Sequence, residues 1–304
     1  MGLAIDLAAA LGTLPDRDAP LERSAEVPVS EHAIRTWCAA VGECNPLYLD
    51  LEAARRAGHP AVVAPPAMLQ TWTMPIADRP AAPTLHAQVR AAARACGLDA
   101  VVATDYAQEY LRPVHPGQML GERSWIEAVS PPKATALGRG QFVTIAVEIC
   151  DQAGTPVGRM RARTLYFDPG PAALRAAAAE DDPGNMAPLQ VPLTRSLIVT
   201  ASLASNDHEA VHHDHEIARA QGLGDIIASI VTSAGLVLRY TGLTAVDAPC
   251  RSLALRLAQP AFPGDVLRFQ GRSAVTAEGT RFHVRGDHAR GRHVTAEVSY
   301  GHRP

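Results

Sequence analysis

The sequence lacks the features that mark disulfide-stapled, zinc-binding, nucleic-acid-binding or membrane-spanning proteins. Its five cysteines are far apart and contain no C-x-x-C pair, which argues against a disulfide framework or a thiolate zinc site. The arginines are scattered rather than clustered, so we expect no nucleic-acid partner. The long apolar segment 225–238 is too short to cross a membrane. No basic region precedes the partly apolar residues 2–14, so we expect no signal peptide and a cytoplasmic protein.

What the sequence does contain is enough apolar content for a sizeable core. Its 304 residues are 47% hydrophobic and carry a formal net charge of −3, as in an ordinary soluble globular protein. A chain of this length predicts two domains or one fused pair.

The polar stretch 206–214 holds the most chemically informative residues. Asp207 and His212 stand five residues apart in this loop and can converge on one water molecule. Carboxylate and imidazole are the side chains most often used to move protons near neutral pH. Asp214 is a natural N-cap for the helix that follows, and Gly222 is a natural residue to end it. The segment 225–238 then predicts a buried helix that begins at Asp225.

The first part of the chain follows a similar order. Ser30 can cap a helix, a polar loop 43–50 follows, and Pro65-Pro66 opens a further helix. The predicted helices after the loop are Leu51–Ala57, closed by Gly58, and Ala67–Met74, ended by Pro75.

This order indicates an internal duplication. A shift of 164 residues, from 43 to 207, places Glu43 on Asp207 and Tyr48 on His212 without a gap. The same shift places Gly58 on Gly222. A second echo follows downstream, where 112–118 resembles 259–265. The repeat units are too long for a solenoid.

Strand-like runs follow the helical part of each half, which predicts an α+β fold with antiparallel sheets. The predicted strands are Val101–Leu111, Gln118–Val129, Gly140–Cys150, Val157–Phe167, Cys250–Leu257, Asp265–Val275, Thr280–Asp287 and Val294–Tyr300. The predicted organisation is an arm at 1–20, a first unit at 21–167, a linker at 168–187 and a second unit at 188–304.

The second half resembles the MaoC-like (R)-specific enoyl-CoA hydratases and dehydratases, whose loop reads D-x-N-P-x-H. The resemblance covers about 20–302 and implies a double hotdog, in which each antiparallel sheet wraps around a central helix. It implies that Asp207 and His212 are catalytic. Glu209 and Ala210 depart from the Asn and Pro that are usual in the family. The ending His-His-Asp and the run 224–240 resemble the actinobacterial branch that acts on steroid side-chain CoA thioesters.

The resemblance implies reversible hydration of an α,β-unsaturated thioester, or dehydration of its 3-hydroxyacyl partner, with a bulky or long acyl group. The carrier is CoA or an acyl carrier protein, and no cofactor or metal is implied. Enolate charge at the thioester oxygen needs a donor, which backbone N–H groups at the start of the central helix can supply. By position that donor is Ser229 or its neighbour Ala228, where relatives have His-Gly. A homodimer is a plausible assembly.

The first half is predicted to be a binding wall rather than a second catalytic centre. Tyr48 replaces the imidazole and is a poor base near neutral pH, and Pro65, opposite Ser229, has no N–H to offer an oxyanion. The short helix ended at Pro75 would leave room for a bulky acyl group. Tyr48 and Glu209 are expected beside the substrate.

Three alternatives stay open at this point. A hotdog thioesterase usually takes its carboxylate from the central helix, where only Asp225 at the helix mouth is available. An acyl-binding protein without activity would follow if the changes at Glu209 and Ser229 have ended catalysis. A metal site is conceivable among the histidines of 208–215, although a polar loop opposes the continuous helix that it needs.

Overall fold

The computed structural model describes residues 7–76, 83–135, 137–169, 184–245 and 248–302. Residues 170–183 of the predicted linker lie outside the described residues. The described helices are α1 (Leu7–Leu11), α2 (Glu31–Val41), α3 (Pro46–Leu49), α4 (Leu51–Arg56), α5 (Leu85–Ala95), α6 (Arg195–Ala204), α7 (His215–Ala220) and α8 (Ile230–Gly242). The described strands are β1 (Leu21–Ser24), β2 (Ala100–Tyr110), β3 (Leu120–Val129), β4 (Lys133–Thr135), β5 (Gly138–Asp151), β6 (Pro156–Pro169), β7 (Leu189–Pro192), β8 (Cys250–Leu257), β9 (Val266–Thr276), β10 (Gly279–His288) and β11 (Gly291–Tyr300).

The described strands form one sheet, in the order β1-β3-β5-β6-β2-β8-β11-β10-β9-β7, with β4 beside β5. Every pair in it is antiparallel. The strand order is symmetric about its centre, where β2 of the first half pairs with β8 of the second half. Each of these two strands is the first of the long strands in its half. The α+β prediction is confirmed, and the predicted strand runs agree with β2, β3, β5, β6 and β8–β11 to within a few residues.

The junction of the two halves has approximate twofold symmetry. Ala107 of β2 pairs with Ala254 of β8, and these two residues are equivalent under the echo that places 112 opposite 259. On either side of that pair, Asp105 faces Arg256 and Glu109 faces Ser252. The halves therefore join strand to strand at the centre of the sheet.

The duplication extends to individual backbone hydrogen bonds. Chance sequence similarity between the two halves would not produce such matches. The matching pairs are Val63 N to Leu47 O at 2.9 Å and Ile227 N to Val211 O at 3.0 Å, then Ala64 N to Val114 O at 2.8 Å and Ala228 N to Ala261 O at 3.0 Å. Helix caps match as well, since Asp50 caps α4 and Asp214 caps α7 in the same way.

The central helix of the second half begins later than predicted. It starts at Ile230 rather than Asp225, because the Ser229 hydroxyl accepts the Thr232 N–H at 3.1 Å and fixes Ser229 as the N-cap. From Val231 to Leu238 every residue is buried, as expected for a helix enclosed by a sheet.

The predicted helix Ala67–Met74 in the first half is wrong. Two 3₁₀ turns, Pro66–Met68 and Gln70–Trp72, occupy that place. Pro65 and Pro66 supply no N–H groups, and Pro75 prevents the segment from continuing as a helix, so only short turns form.

Helices α5 and α6 were not predicted. Both have a threonine N-cap, Thr84 for α5 and Thr194 for α6. Helix α5 buries only Leu85, Val89 and Ala93 in a segment rich in alanine and arginine, so its apolar stripe is thin.

Candidate active site

The end of α6 sets the direction of the loop that carries Asp207. Asn206 takes a left-handed backbone with φ 54°, a conformation that asparagine tolerates better than most residues. The Asp207 N–H then donates to Ser202 O at 3.0 Å, and the Ser202 hydroxyl donates to Asp207 O. Both backbone groups of Asp207 are thereby held by the helix that precedes it.

His212 faces Asp207 with a defined nitrogen. Its Nδ1 lies 2.8 Å from Ile227 O, and because a carbonyl oxygen can only accept, Nδ1 carries the proton and donates. The neutral ring therefore presents an unprotonated Nε2, which lies 3.7 Å from Asp207 Oδ2. That separation is too long for a direct hydrogen bond and suits two groups that share one small ligand. Both residues are nearly buried, at 7% and 9% exposure.

Ser229 and Ala228 differ in what their backbones can offer. The Ala228 N–H already donates to Ala261 O, so it is occupied. In the described part of the chain the Ser229 N–H has no hydrogen-bond acceptor. Ser229 is fully buried, and its hydroxyl caps α8. Of the two predicted donors, Ser229 is the one whose N–H is not committed.

Glu209 is bound by a residue from the other half. Arg90 of α5 places Nη1 at 2.6 and 2.7 Å from the two carboxylate oxygens of Glu209. Burial alone would raise the pKa of Glu209, but the hydrogen bonds and charge of Arg90 outweigh burial and hold that pKa below its ordinary value.

Three further side chains from the first half surround the loop. His86 lies one helical turn before Arg90, and its Nδ1 is 3.4 Å from the hydroxyl of Tyr166 on β6. His86 presents open surface, yet enough protein surrounds its ring for burial to lower its pKa, against the opposing pull of the Glu209 and Asp207 carboxylates. Burial raises the pKa of Tyr106 on β2, and the charge of Asp207 adds to that rise.

The site therefore contains residues that sequence reasoning missed. The Thr84 cap and the spacing of Leu85 and Val89 could have predicted α5. Nothing local to α5 places Arg90 and His86 beside the loop of the other half, because that placement depends on how the two halves pair.

The equivalent loop of the first half lacks the same chemistry. Both the Cys44 N–H and the Asn45 N–H donate at 2.8 Å to Glu43 Oε1, so its carboxylate closes a local turn. Burial raises the pKa of Tyr48 well above its ordinary value, and the charge of Glu43 adds to the rise. Tyr48 is thus even less ionised near neutral pH than a free tyrosine, so it is not available there as a general base.

The structure also locates the residues of the alternative interpretations. His213 and His215 are exposed, and among the described residues no group of three or more His, Cys, Asp or Glu is placed to hold a metal ion. Asp225 binds Arg195 through both oxygens, at 3.0 and 2.6 Å, and this ion pair lowers its pKa. A carboxylate held in that way is poorly placed to serve as a thioesterase base.

None of the described helices is long and apolar enough to span a membrane.

Comparison with known proteins gives the class of the fold. A MaoC-like dehydratase of Phytophthora capsici superposes with a TM-score of 0.70 at 14% identity, over 97% of this chain and 98% of that chain. A protein of Mycobacterium tuberculosis whose structure is described as a double hotdog superposes with a TM-score of 0.61 at 15% identity, over 93% and 96%. The fold is therefore the double hotdog that was expected.

Comparison of sequences is more specific. The model of the FAS1-like dehydratase domain region matches residues 21–160. The alpha subunit of the 3-oxo-4,17-pregnadiene-20-carboxyl-CoA hydratase of Mycobacterium tuberculosis is 39% identical over 155 residues, 48% of this chain and 47% of that subunit. The beta subunit of that hydratase, from the same organism, is 39% identical over 105 residues, 34% of this chain and 81% of that subunit.

These matches show the family. This chain belongs to the MaoC-like enoyl-CoA hydratase/dehydratase family. It spans about half the length of the alpha subunits that it matches.

Proposed function

We propose that the chain catalyses the reversible, (R)-specific hydration of an enoyl thioester to a 3-hydroxyacyl thioester with a bulky or long acyl group. The observation that carries this proposal is that Asp207 Oδ2 and His212 Nε2 face each other at 3.7 Å inside a double hotdog, while His212 Nδ1 donates to Ile227 O. Each side chain uses one polar atom on the backbone, Asp207 Oδ1 with the Glu209 N–H at 3.5 Å and His212 Nδ1 with Ile227 O at 2.8 Å, and faces the other residue with its second polar atom.

In the proposed reaction, one water lies between the two side chains. The neutral imidazole accepts a proton at Nε2 as the water oxygen adds to the β-carbon. Electron density moves onto the thioester oxygen as an enolate, and the dyad delivers a proton to the α-carbon, which restores its starting state. The Ser229 N–H at the start of α8 would stabilise the enolate, aided by the helix dipole.

The direct test measures hydration of crotonyl-CoA, long-chain enoyl-CoAs and polycyclic enoyl-CoAs, each also offered on an acyl carrier protein. We expect an (R)-3-hydroxyacyl product, identified by chiral analysis, and faster turnover with the larger acyl groups. Release of free CoA thiol without formation of a hydroxyacyl product would favour the thioesterase. Tight binding of the thioesters without any reaction would favour the inactive acyl-binding protein.

We also propose the division of the chain into an arm at 1–20, a non-catalytic hotdog at 21–167, a linker at 168–187 and a catalytic hotdog at 188–304. The match of the dehydratase model to residues 21–160 supports the bounds given to the first hotdog, 21–167. Limited proteolysis should cut first within 168–187. A first cut inside either sheet would contradict the division.

A homodimer of this chain is the assembly that we propose. The similarity to separate alpha and beta subunits supports association beyond one chain. Light scattering should give twice the mass of one chain, and a concentration-independent single-chain mass would contradict the dimer.

A further inference from the structure

The loop that carries Asp207 is tied to the first half on both sides of that residue. Immediately before it, the Asn206 side-chain amide donates to Thr71 O at 3.2 Å. Two residues after it, Glu209 accepts from Arg90 at 2.6 and 2.7 Å. Thr71 lies in the 3₁₀ turn that replaces the central helix of the first half, and Arg90 lies on α5. The first half therefore holds the Asp207 loop at two points.

Position 209 does not stabilise its own turn. In the first half, the side chain of Asn45 accepts the Leu47 N–H at 3.0 Å, and Pro46 follows as the first residue of α3. In the second half, Glu209 makes no side-chain cap of the turn Ala210–His212. Where Asn45 bonds within its own loop, Glu209 bonds to Arg90 of α5 instead, so the geometry of the Glu209 loop depends on α5.

The contact also sets the charge beside the dyad. The Arg90 side chain is only 19% exposed and lies against the carboxylate of Glu209. Without Arg90, an uncompensated Glu209 would face the imidazole of His212, whose charge already influences Glu209. Among the described residues, the ionisable groups that interact with this carboxylate are Arg90 and His86 from α5, Tyr166 from β6 and His212 from its own loop, while Asp207 Oδ1 accepts the Glu209 backbone N–H.

We propose that Arg90 is a positioning residue for the proposed hydratase: acting across the junction through Glu209, it fixes the Asp207–His212 loop and neutralises the charge beside it. This inference rests on the proposed function. It means that the half without a catalytic pair still controls turnover in the other half.

The test compares Arg90→Gln, Glu209→Gln, Arg90→Lys and the charge-swapped Arg90→Glu/Glu209→Arg double variant. Because the remaining carboxylate favours a protonated imidazole, Arg90→Gln should move the acid limb of the kcat/KM profile to higher pH by on the order of one unit. Glu209→Gln leaves a cation and should move that limb to lower pH. Arg90→Gln should also lower kcat by about 10- to 100-fold with a smaller change in KM, because a displaced loop spoils alignment.

Restoration of charge is the second part of the test. Arg90→Lys keeps a cation and should return the acid limb to the wild-type pH, and the swapped pair should do the same if it folds. Arg161→Gln is the matched control, because Arg161 also binds both oxygens of a glutamate, Glu127, at 2.8 and 3.0 Å. Arg161→Gln should neither lower kcat nor shift the acid limb of the kcat/KM profile.

A readout without substrate separates this inference from the proposed function. Following the His212 ring by NMR during a pH titration should show its midpoint moving to higher pH in Arg90→Gln, whether or not the protein turns over. If wild type hydrates enoyl thioesters but Arg90→Gln changes neither the midpoint nor kcat, the inference is overturned and the proposed function stands. An unmoved midpoint with a lower melting temperature alone would reduce Arg90 to a structural contact. Absence of hydration in wild type counts against the proposed function only.

Discussion

The two loops of this molecule follow similar backbone paths and have opposite chemistry. The first-half loop is locally complete, because Glu43 and Asn45 bond the N–H groups that follow them. The second-half loop leaves Asp207 and His212 directed at each other, and partners outside the loop hold it. A loop whose polar groups satisfy one another has none left for a substrate, whereas a loop held from outside keeps its groups available.

The central segments differ in a parallel way. In the second half, the buried His293 donates from Nδ1 to Gln259 O, and its Nε2 lies 2.9 Å from the Ser233 hydroxyl on α8. The residues at the equivalent positions of the first half are Leu69 and Val157, both buried and apolar. The second half thus fixes its central helix with a polar contact, and the first half has only apolar packing there.

The largest effect should come from removing the dyad, which would make the second loop as inert as the first. Asp207→Asn should lower kcat by about 10²–10⁴-fold, the range typical of a lost general acid or base. His212→Asn should do the same while keeping a donor near the place of Nδ1. The double variant should be only slightly worse than either single one, because the pair acts as a unit. Steady-state kinetics with the best enoyl thioester measure this, and near-normal turnover in either single variant means that the site lies elsewhere.

The second-largest loss of kcat should follow from replacing Ser229 with proline, the residue at the equivalent position 65 of the first half. Ser229→Pro deletes the uncommitted N–H and should lower kcat by about 10²–10³-fold. Ser229 has φ −73°, which proline can adopt, so the fold should survive, and circular dichroism and melting would check this before kinetics are interpreted.

Two controls divide the Ser229 backbone from its side chain. Ser229→Gly and Ser229→Ala keep the N–H but lose the side-chain cap on Thr232, so Ser229→Ala should cost about 1 kcal/mol of stability, Ser229→Gly roughly a few tenths of that, and neither much turnover. A loss of turnover in Ser229→Ala equal to that in Ser229→Pro would make the hydroxyl the functional group.

The polar contact of the second half should make stability depend on acid. Burial lowers the pKa of His293 to about 4, below the ordinary value of 6.5. The unfolded chain therefore takes up this proton first, so the contribution of His293 is complete above about pH 6.5 and is lost as the pH falls towards 4. The loss is on the order of 3 kcal/mol.

Exchanging Ser233 and His293 for the residues of the first half tests this dependence. The Ser233→Leu/His293→Val variant should lose less of its melting temperature than wild type between pH 6.5 and 4, whatever its stability at neutral pH. If the melting temperatures of the two proteins fall equally between pH 6.5 and 4, His293 is not the cause of the acid dependence.

The smallest effect is expected in the first loop. Tyr48→Phe and Glu43→Gln should leave kcat within about twofold of wild type and at most alter KM, because Tyr48 is not ionised near neutral pH and the Glu43 carboxylate closes its own turn. Glutamine keeps an oxygen that can accept the Cys44 and Asn45 N–H groups. A fall in kcat comparable to that of Asp207→Asn would mean that both halves perform chemistry.

Local residues by themselves determined much of this protein. The duplication is legible because the caps Asp50 and Asp214, the turn glycines and the loop spacing depend on neighbours within a few residues, and such signals survive in sequence. The strand runs were predictable for the same reason, and so was the nearness of Asp207 to His212. The predicted helix Ala67–Met74 is wrong because Pro65-Pro66 can begin a helical segment without setting its type or length, and with Pro75 close behind only two 3₁₀ turns form.

Only the tertiary structure decided how the two halves complete one site. The pairing of Ala107 with Ala254 brings α5 to the loop of the other half, and that contact joins residues more than a hundred positions apart. The tautomer of His212 depends on Ile227 O, and the bond from the Ala228 N–H to Ala261 O leaves Ser229 as the only one of these two neighbours with an uncommitted N–H. Each of these facts is a hydrogen bond between segments whose meeting is set by sheet pairing and core packing, and no local pattern in the chain encodes such a meeting.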